Sequence, residues 1–574
     1  MFPLLVACRS VLPSAPASWW WRWLAMVLLA GWTAGCSSLP ENVDRQASRA
    51  WDAPQATPLG QLTQARRDAA RARSESAFSL LDSVENAFSS RVALADAARH
   101  TLDLQYYAIH ADGSTEVLLE HIRAAARRGV RVRILLDDFN TVGEDAQVLR
   151  LAFERGVELR LFNPVPGSRG SLFGRVFGSL HDMERLQKRM HNKLFIADSA
   201  WGITGGRNLG DAYFGGDDKS AFVDLDVLAT GAVVRQMAAS FDRYWNDRLA
   251  YPVQSLLTRG DLDRLRDDGD DRAPSDGSRP PAAPAPAAQP VGAVLPEATA
   301  RPNAAAAASS LGQRPAMDLR QVPLTWAPAT LLADQPGKVG PGDDEADAGE
   351  TVVDGLLQLM RGARQELLII SPYFVPGAEM MNVFADLRRR GVAVRVLTNS
   401  LASNDAPAAH AGYRRYRREL LAMGVELHEM RADPASAGLR DGRRSSGSGS
   451  GVSLGSTVGG SKSGFSRASL HSKAVVVDRR VAVIGSMNLD LRSQLKNSEV
   501  ALLIRSATLA GQAARLIESS FARGAYRVEA RGDALVWRAP PGAAFGDASS
   551  EPEADWKLRL LVDVLAPFAP DEML

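Results

Sequence analysis

The chain has 574 residues, enough at about 150 per domain for three or four domains before non-globular stretches are set aside. Its 67 Lys and Arg against 66 Asp and Glu give a net charge of +1, which argues against a dedicated nucleic-acid binder. A hydrophobic content of 45% fits a folded body and leaves no room for a polytopic membrane protein. The two cysteines, Cys8 and Cys36, leave that body without disulfides, thiolate metal ligands or a cysteine nucleophile.

Residues 1–35 read as a targeting segment. Arg22 is followed by about a dozen apolar residues from Trp23 onward, a signal-peptide length too short for a comfortable transmembrane helix. The end of this run, Thr33-Ala34-Gly35-Cys36, resembles a bacterial lipobox, in which Cys36 would carry lipid on its sulfur; Thr33 departs from the larger aliphatic residue usual there. Leu5-Val6-Ala7-Cys8 matches the letters better but has no charged residue before it. The alternative is an uncleaved, Trp-rich interfacial anchor with an inert Cys36. Either reading points the N-terminus at a membrane of a bacterial cell envelope.

Residues 36–75 read as an N-terminal extension, 76–256 as a first lobe, 257–346 as a disordered Pro/Ala-rich linker, and 347–574 as a second lobe with a Ser/Gly-rich insertion at 431–468. The lobes repeat. Asp103-Leu-Gln-Tyr-Tyr107, a helical stretch, Arg127-Arg-Gly-Val130 and Arg131-Val-Arg-Ile-Leu-Leu136 are answered by Glu366-Leu-Leu-Ile-Ile-Ser-Pro-Tyr373, Arg389-Arg-Gly-Val392 and Ala393-Val-Arg-Val-Leu397. Gly156-Val-Glu-Leu159 is echoed by Gly424-Val-Glu-Leu427. Strand, amphipathic helix, glycine-capped turn and strand form β-α-β units. They predict an α/β fold: two similar lobes, each a mixed sheet flanked by helices, packed as a pseudo-dimer around one site. The acidic run Asp343–Asp347 reads as solvated linker charge.

The chemistry-bearing residues repeat too. His191-Asn-Lys193, Asp198 and Gly205-Gly-Arg-Asn208 are matched by His471-Ser-Lys473, Asp478 and Gly485-Ser-Met-Asn488, with His-to-Lys, His-to-Asp and His-to-Asn spacings of 2, 7 and 17 in both halves. Residues two apart on a strand share a face, so each histidine projects with its lysine. The glycines let backbone approach a ligand closely, and Asn208 and Asn488 add neutral donors. Two lysines and two asparagines around one point suit a phosphate group, and two histidines on opposite sides suit in-line displacement at phosphorus. The remaining histidines, at 100, 110, 121, 181, 410 and 428, read as structural. Asp137-Asp138 reads as a satisfied loop cap at a strand end.

This HxKxxxxD pattern resembles the phospholipase D superfamily over most of both halves. The resemblance implies a phosphohistidine intermediate on His191, with His471 as general acid and then general base, His191 neutral and His471 charged at rest. It implies carboxylates that orient the histidines: Glu499, with Asp224 and Asp226 both candidates in the first half. Asp198 and Asp478 belong to the catalytic signature, yet by resemblance they are more structural than catalytic. The lysines neutralise charge, so neither metal nor cofactor is called for. Further letters, Arg189-Met-His-Asn-Lys193, Gly205 to Phe214, Thr398 to Asp405 and His410 to Arg418, resemble bacterial cardiolipin synthases of the C type. That likeness implies transfer of a phosphatidyl group between membrane phospholipids, phosphatidylglycerol and also phosphatidylethanolamine, without nucleic acid and compatibly with a small helper protein. Tyr413–Arg418 suits an anionic bilayer surface, or else is a solvated charged face. The competing expectation is a hydrolytic phospholipase D, phosphodiesterase or nuclease of the same superfamily. A catalytically dead lipid-binding module would show a broken motif, and neither copy is broken.

Overall fold

The computed structural model describes residues 39–141, 143–166, 183–215, 220–257, 260–261, 315–339, 351–432 and 467–566. Cys36, His181, the run Asp343–Asp347 and residues 433–466 of the Ser/Gly-rich insertion lie outside them.

The first half runs β1 (Ser76–Leu81), β2 (Thr101–Tyr106), β3 (Arg131–Asp137), β4 (Val157–Phe162), β5 (Leu194–Ala197) and β6 (Trp201–Gly205). It continues with β7 (Ser220–Val223), β8 (Asp226–Gly231), β9 (Ala250–Pro252) and β10 (Thr325–Trp326). The second half runs β11 (Ala329–Ala333), β12 (Glu366–Ile370), β13 (Phe374–Val375), β14 (Ala393–Asn399), β15 (Glu426–Met430) and β16 (Arg467–Leu470). After these come β17 (Ala474–Val477), β18 (Val481–Gly485), β19 (Leu489–Asp490), β20 (Val500–Arg505), β21 (Ala525–Arg531) and β22 (Ala534–Arg538). Two nine-stranded sheets result, ordered β10-β1-β8-β6-β5-β2-β3-β4-β9 and β11-β20-β18-β17-β12-β14-β15-β21-β22. In each, three parallel strands (β2-β3-β4, β12-β14-β15) adjoin an antiparallel hairpin (β5-β6, β17-β18) that follows the histidine.

Local sequence explains the repeated unit. The helix after β2, α1 (Gly113–Arg127), is capped by Asp112, whose side chain accepts from Thr115 N, and ends at Gly129 with φ +92°. Its counterpart after β12, α2 (Gly377–Arg389), ends at Gly391 with φ +80°. The shared Arg-Arg-Gly-Val string is thus a helix stop in left-handed backbone followed by a strand. The faces of the two sheets meet in one apolar cluster: Leu135, Met190, Leu194 and Ile196 of the first half pack with Leu368, Leu397, Leu470 and Val476 of the second. Each such side chain contributes about 1.5–3 kcal/mol of burial. The halves therefore share a core.

Two expectations change. The segment read as linker contributes an edge strand to each sheet, β10 against β1 and β11 against β20. The Tyr/Arg helix, α3 (Pro407–Ala422), turns inward in part. Tyr413 donates to Glu429 at 3.1 Å, and buried Arg417 lies 3.1 Å from Glu429 and 2.8 Å from Glu551. On the outside Arg414 pairs with Asp563 at 2.8 Å. No helix among the described residues is long and apolar enough to cross a membrane.

Candidate active site

The hairpin after each histidine is closed by two residues in left-handed backbone, Asp198 and Ser199 (φ +51° and +53°) or Asp478 and Arg479 (φ +51° and +50°). Asp tolerates that conformation. The Asp198 carboxylate accepts the backbone N–H groups of Arg99, His100 and Thr101 at 2.7–3.1 Å, and Asp478 those of Arg364, Gln365 and Glu366 over the same span. Each ties the turn to the start of the neighbouring strand, β2 or β12. Among the described residues the hydrogen-bond partners of both carboxylates are backbone N–H groups and not the rings of His191 or His471, so the last letter of the signature ties strands together.

The glycines act differently from the expectation that they admit a ligand. A Cβ on Gly205 would stand 2.2 Å from Asp226 Oδ1, and one on Gly206 2.2 Å from Asp224 Oδ1. What they admit is the carboxylate-bearing strand. In the second half Ser486 stands where Gly206 does, and its hydroxyl donates to Glu499 at 2.5 Å.

The histidine–carboxylate pairs are exchanged between lobes. His191 Nδ1 lies 3.0 and 3.1 Å from the two oxygens of Glu499, and His471 Nδ1 lies 2.6 Å from Asp224. Backbone fixes both contacts. β7, which runs into Asp224, pairs in parallel with β16, which runs into His471, and His471 N donates to Val223 O at 2.9 Å. On the other side Met190 bridges Ser498, and His191 N donates to Ser498 O at 2.9 Å. Asp226, the alternative orienting candidate, touches no histidine. It lies 2.9 Å from Arg91 and 3.3 Å from Arg207, a buried clamp inside the first lobe.

The four motif side chains His191, Lys193, His471 and Lys473 are all buried. Lys193 Nζ donates to His191 O at 2.8 Å and Lys473 Nζ to His471 O at 2.6 Å. Burial pulls Lys193 down to about 7, with Glu499 opposing and Lys473 adding, and burial likewise lowers Lys473. Burial also brings His191 to about 4 against the pull of Glu499, with both lysines pushing the same way. His471 falls well below its ordinary value through burial, Lys473, Lys193 and His191 itself. Both shifts favour the neutral imidazole, against the expectation of a charged His471, because two lysines in a dry site repel a third and fourth cation. Burial works against the Glu499 carboxylate, but His191, Lys193 and the Ser486 hydroxyl outweigh it and hold the group below its usual range. An ionised carboxylate at Nδ1 accepts a hydrogen bond from it, keeps the ring proton on that nitrogen and leaves the Nε2 lone pair of His191 free.

Of the two asparagines, Asn208 is already engaged, accepting from Ala108 N at 3.2 Å and bonding the Tyr213 hydroxyl at 3.1 Å. Asn488 Oδ1 is buried without a hydrogen-bond partner among the described residues. Aromatic walls went unread in the sequence. Tyr107 stands edge-on to His191 at 5.2 Å, and Tyr213 and Phe222 flank His471 at 5.4 and 5.0 Å. Only the position of Tyr107 just beyond a strand end signalled it. Asp137 and Asp138 are satisfied loop caps, accepting Phe139 N, Met190 N and Val165 N. Of the other described histidines, His110, His121 and His428 bond nearby carboxylates, His100 stacks on Trp51, and His410 bonds Arg417.

Residues 92–245 and 356–521 match the family described as Cardiolipin synthase, PLD-like domain. Cardiolipin synthase C of Escherichia coli is 36% identical over 441 residues, 77% of this chain and 83% of that protein. Cardiolipin synthase A of Yersinia pseudotuberculosis is 22% identical over 82% of this chain and 74% of its own. Phosphatidylserine synthase of Haemophilus influenzae shares the fold, with a TM-score of 0.52 at 14% identity, over 89% of this chain and 100% of that one.

Proposed function

Because the chain belongs to the cardiolipin synthase, PLD-like domain family and is a phospholipase D-family phosphatidyltransferase, we propose that it makes cardiolipin by double displacement. His191 Nε2 attacks the phosphorus of a donor phospholipid, the P–N bond forms, and the P–O bond to the departing headgroup breaks. His471 gives that oxygen a proton. His471 then takes the proton of an acceptor hydroxyl on phosphatidylglycerol, whose oxygen displaces His191 and restores its lone pair. Phosphatidylglycerol or phosphatidylethanolamine serves as donor. Lys193 and Lys473 neutralise the non-bridging oxygens in a site where charge pairs are strong, and Asn488 offers a further polar contact. His471 gains its proton as the anionic phosphate arrives and offsets the lysines.

The observation that carries this reading is the pair of exchanged contacts, His191–Glu499 and His471–Asp224, around two buried lysines. One lobe alone would hold a histidine without its carboxylate. Lipidation at Cys36 holds the enzyme on the membrane in this reading, and a small helper protein is compatible with it. The test is expression in bacteria lacking their own cardiolipin synthases, with lipids extracted for mass spectrometry. Wild type should restore cardiolipin, and His191→Ala and His471→Ala should not. Phosphatidic acid as the sole product would make the enzyme a hydrolase, and no new lipid would defeat both readings. Cys36→Ser should abolish labelling by radioactive palmitate, and persistent labelling would defeat the anchor.

A further inference from the structure

The two histidines do not have the same surroundings. In the first lobe the carboxylates at the end of β3 are engaged inside the lobe, Asp137 by Phe139 N, Met190 N and, at 3.5 Å, Arg189, and Asp138 by Val165 N and the Thr141 hydroxyl. In the second lobe the residue matching Asp137 is Asn399, which clamps both backbone groups of Leu470, immediately before His471. Leu470 N donates to its Oδ1 and its Nδ2 donates to Leu470 O, each at 2.9 Å. The turn that follows is braced back onto Asn399, with the Ser403 hydroxyl 3.0 Å from its Oδ1 and Asn404 Oδ1 accepting Ala406 N at 2.8 Å. This turn presents Asp405. Its carboxylate is half-buried and accepts the Tyr373 hydroxyl at 2.8 Å, its side-chain partner among the described residues. It is near enough for its charge to act on Lys473 and on Tyr213, the ring that stands against His471. A carboxylate is thus held rigidly beside the His471 half of the site and is only half-buried, whereas Asp137, whose charge acts on Tyr107 against His191, is fully buried and bonded to backbone.

We propose that the Tyr373–Asp405 pair is the acceptor subsite: it holds one hydroxyl of a polyol headgroup while a neighbouring hydroxyl of the same headgroup is presented to His471. The inference rests on the double displacement above and names what enters its second step. A carboxylate is a strong acceptor for a hydroxyl, and a site built for a hydroxyl discriminates against molecules lacking it. Water has one oxygen and cannot be gripped there and react at the same time; a vicinal diol can. Held in this way, the reacting hydroxyl loses its proton to His471 Nε2, its oxygen bonds phosphorus, and the P–N bond returns its electron pair to His191. Proximity then favours transfer over hydrolysis.

The test uses the full chain in detergent micelles with a phosphatidyl-p-nitrophenol donor, in water containing glycerol, 1-propanol or ethanolamine. Mass spectrometry gives the ratio of transfer product to phosphatidic acid within each reaction, so the total rate of a variant drops out. Wild type should favour glycerol over 1-propanol. Asp405→Ala should lower the glycerol-to-water ratio about tenfold or more and leave the propanol ratio alone. Asp405→Asn, which still accepts a hydroxyl, should keep most of the preference, and Tyr373→Phe should shift it part of the way should the alanine variant not fold. An unchanged ratio in all three variants overturns the subsite while the transferase reading stands. Selective loss of the ethanolamine product in Asp405→Asn would make the site an ammonium pocket and overturns it too. Wild type yielding phosphatidic acid alone with every alcohol sinks the transferase reading and the subsite with it.

Discussion

Glu499→Gln is the sharpest perturbation of the exchanged pairs. Glu499 is fully buried and its two oxygens receive His191 Nδ1, the Ser493 hydroxyl at 3.0 Å and the Ser486 hydroxyl at 2.5 Å. Glutamine fits the same space, and hydroxyls can turn to accept from its amide, so the fold should survive. The amide N–H, however, competes to donate to Nδ1, which moves the ring proton to Nε2 and covers the attacking lone pair. The analogous loss of an orienting carboxylate in a His-centred triad costs about 10⁴ in turnover, or roughly 5 kcal/mol of barrier. Rapid-quench measurement with phosphatidyl-p-nitrophenol isolates the step, because nitrophenolate leaves without a proton donor. Glu499→Gln should abolish the nitrophenolate burst. Asp224→Asn, which acts on His471 from the other lobe, should keep a burst and stall afterwards. A burst in Glu499→Gln and none in Asp224→Asn would reverse the roles of the histidines. Less than tenfold loss in both would refute the idea that these carboxylates set the ring tautomers.

The pH profile of kcat/KM should be displaced to acid. His191 is neutral and nucleophilic above about 4 and is lost below it, and Lys193 keeps its ammonium below about 7 and loses it above, so activity should fall on either side of that window. Lys193→Arg should move the alkaline limb upward, and a limb that stays near 7 would assign it elsewhere. Lys193→Met should be inactive yet no less stable at pH 6, where the folded lysine is still charged. Its fall from 10.5 to about 7 corresponds to a net cost of about 5 kcal/mol for holding the charge in this site, of which the lost bond to His191 O returns about 1. A lowered Tm by differential scanning fluorimetry would count against it. Asp198→Ala should cost about 3 kcal/mol in urea unfolding by stranding three N–H groups, while Asp198→Asn, which keeps an oxygen there, should cost far less. Equal losses would show that the carboxylate's charge, not its bonds to the β2 backbone, does the holding.

Much of the site was legible in the chain because its parts are local. A histidine and lysine two apart and an asparagine seventeen on flank one hairpin whose turn residue lies seven on, and a duplicated hairpin announces two lobes. The turn at Asp198, in left-handed backbone, is a local property as well. The choice between Asp224 and Asp226 was beyond reach. Period-two reasoning places both on one face, but β7 ends at Val223 and β8 begins at Asp226, and the chain changes course between them. Strands β10 and β11 were hidden in linker composition, each beside a proline, Pro323 or Pro328, and given meaning only by the sheet edges they meet.

The sequence by itself determined the units: their strand and helix order, their helix stops, and the imidazole and ammonium that each projects. Tertiary structure alone decided which carboxylate serves which imidazole and which groups titrate. Those depend on the register between lobes, set by β7 against β16 and Met190 against Ser498, and on the water excluded when the two sheets close on a common apolar core. Neither distance nor dehydration is a property of residues near one another in the chain.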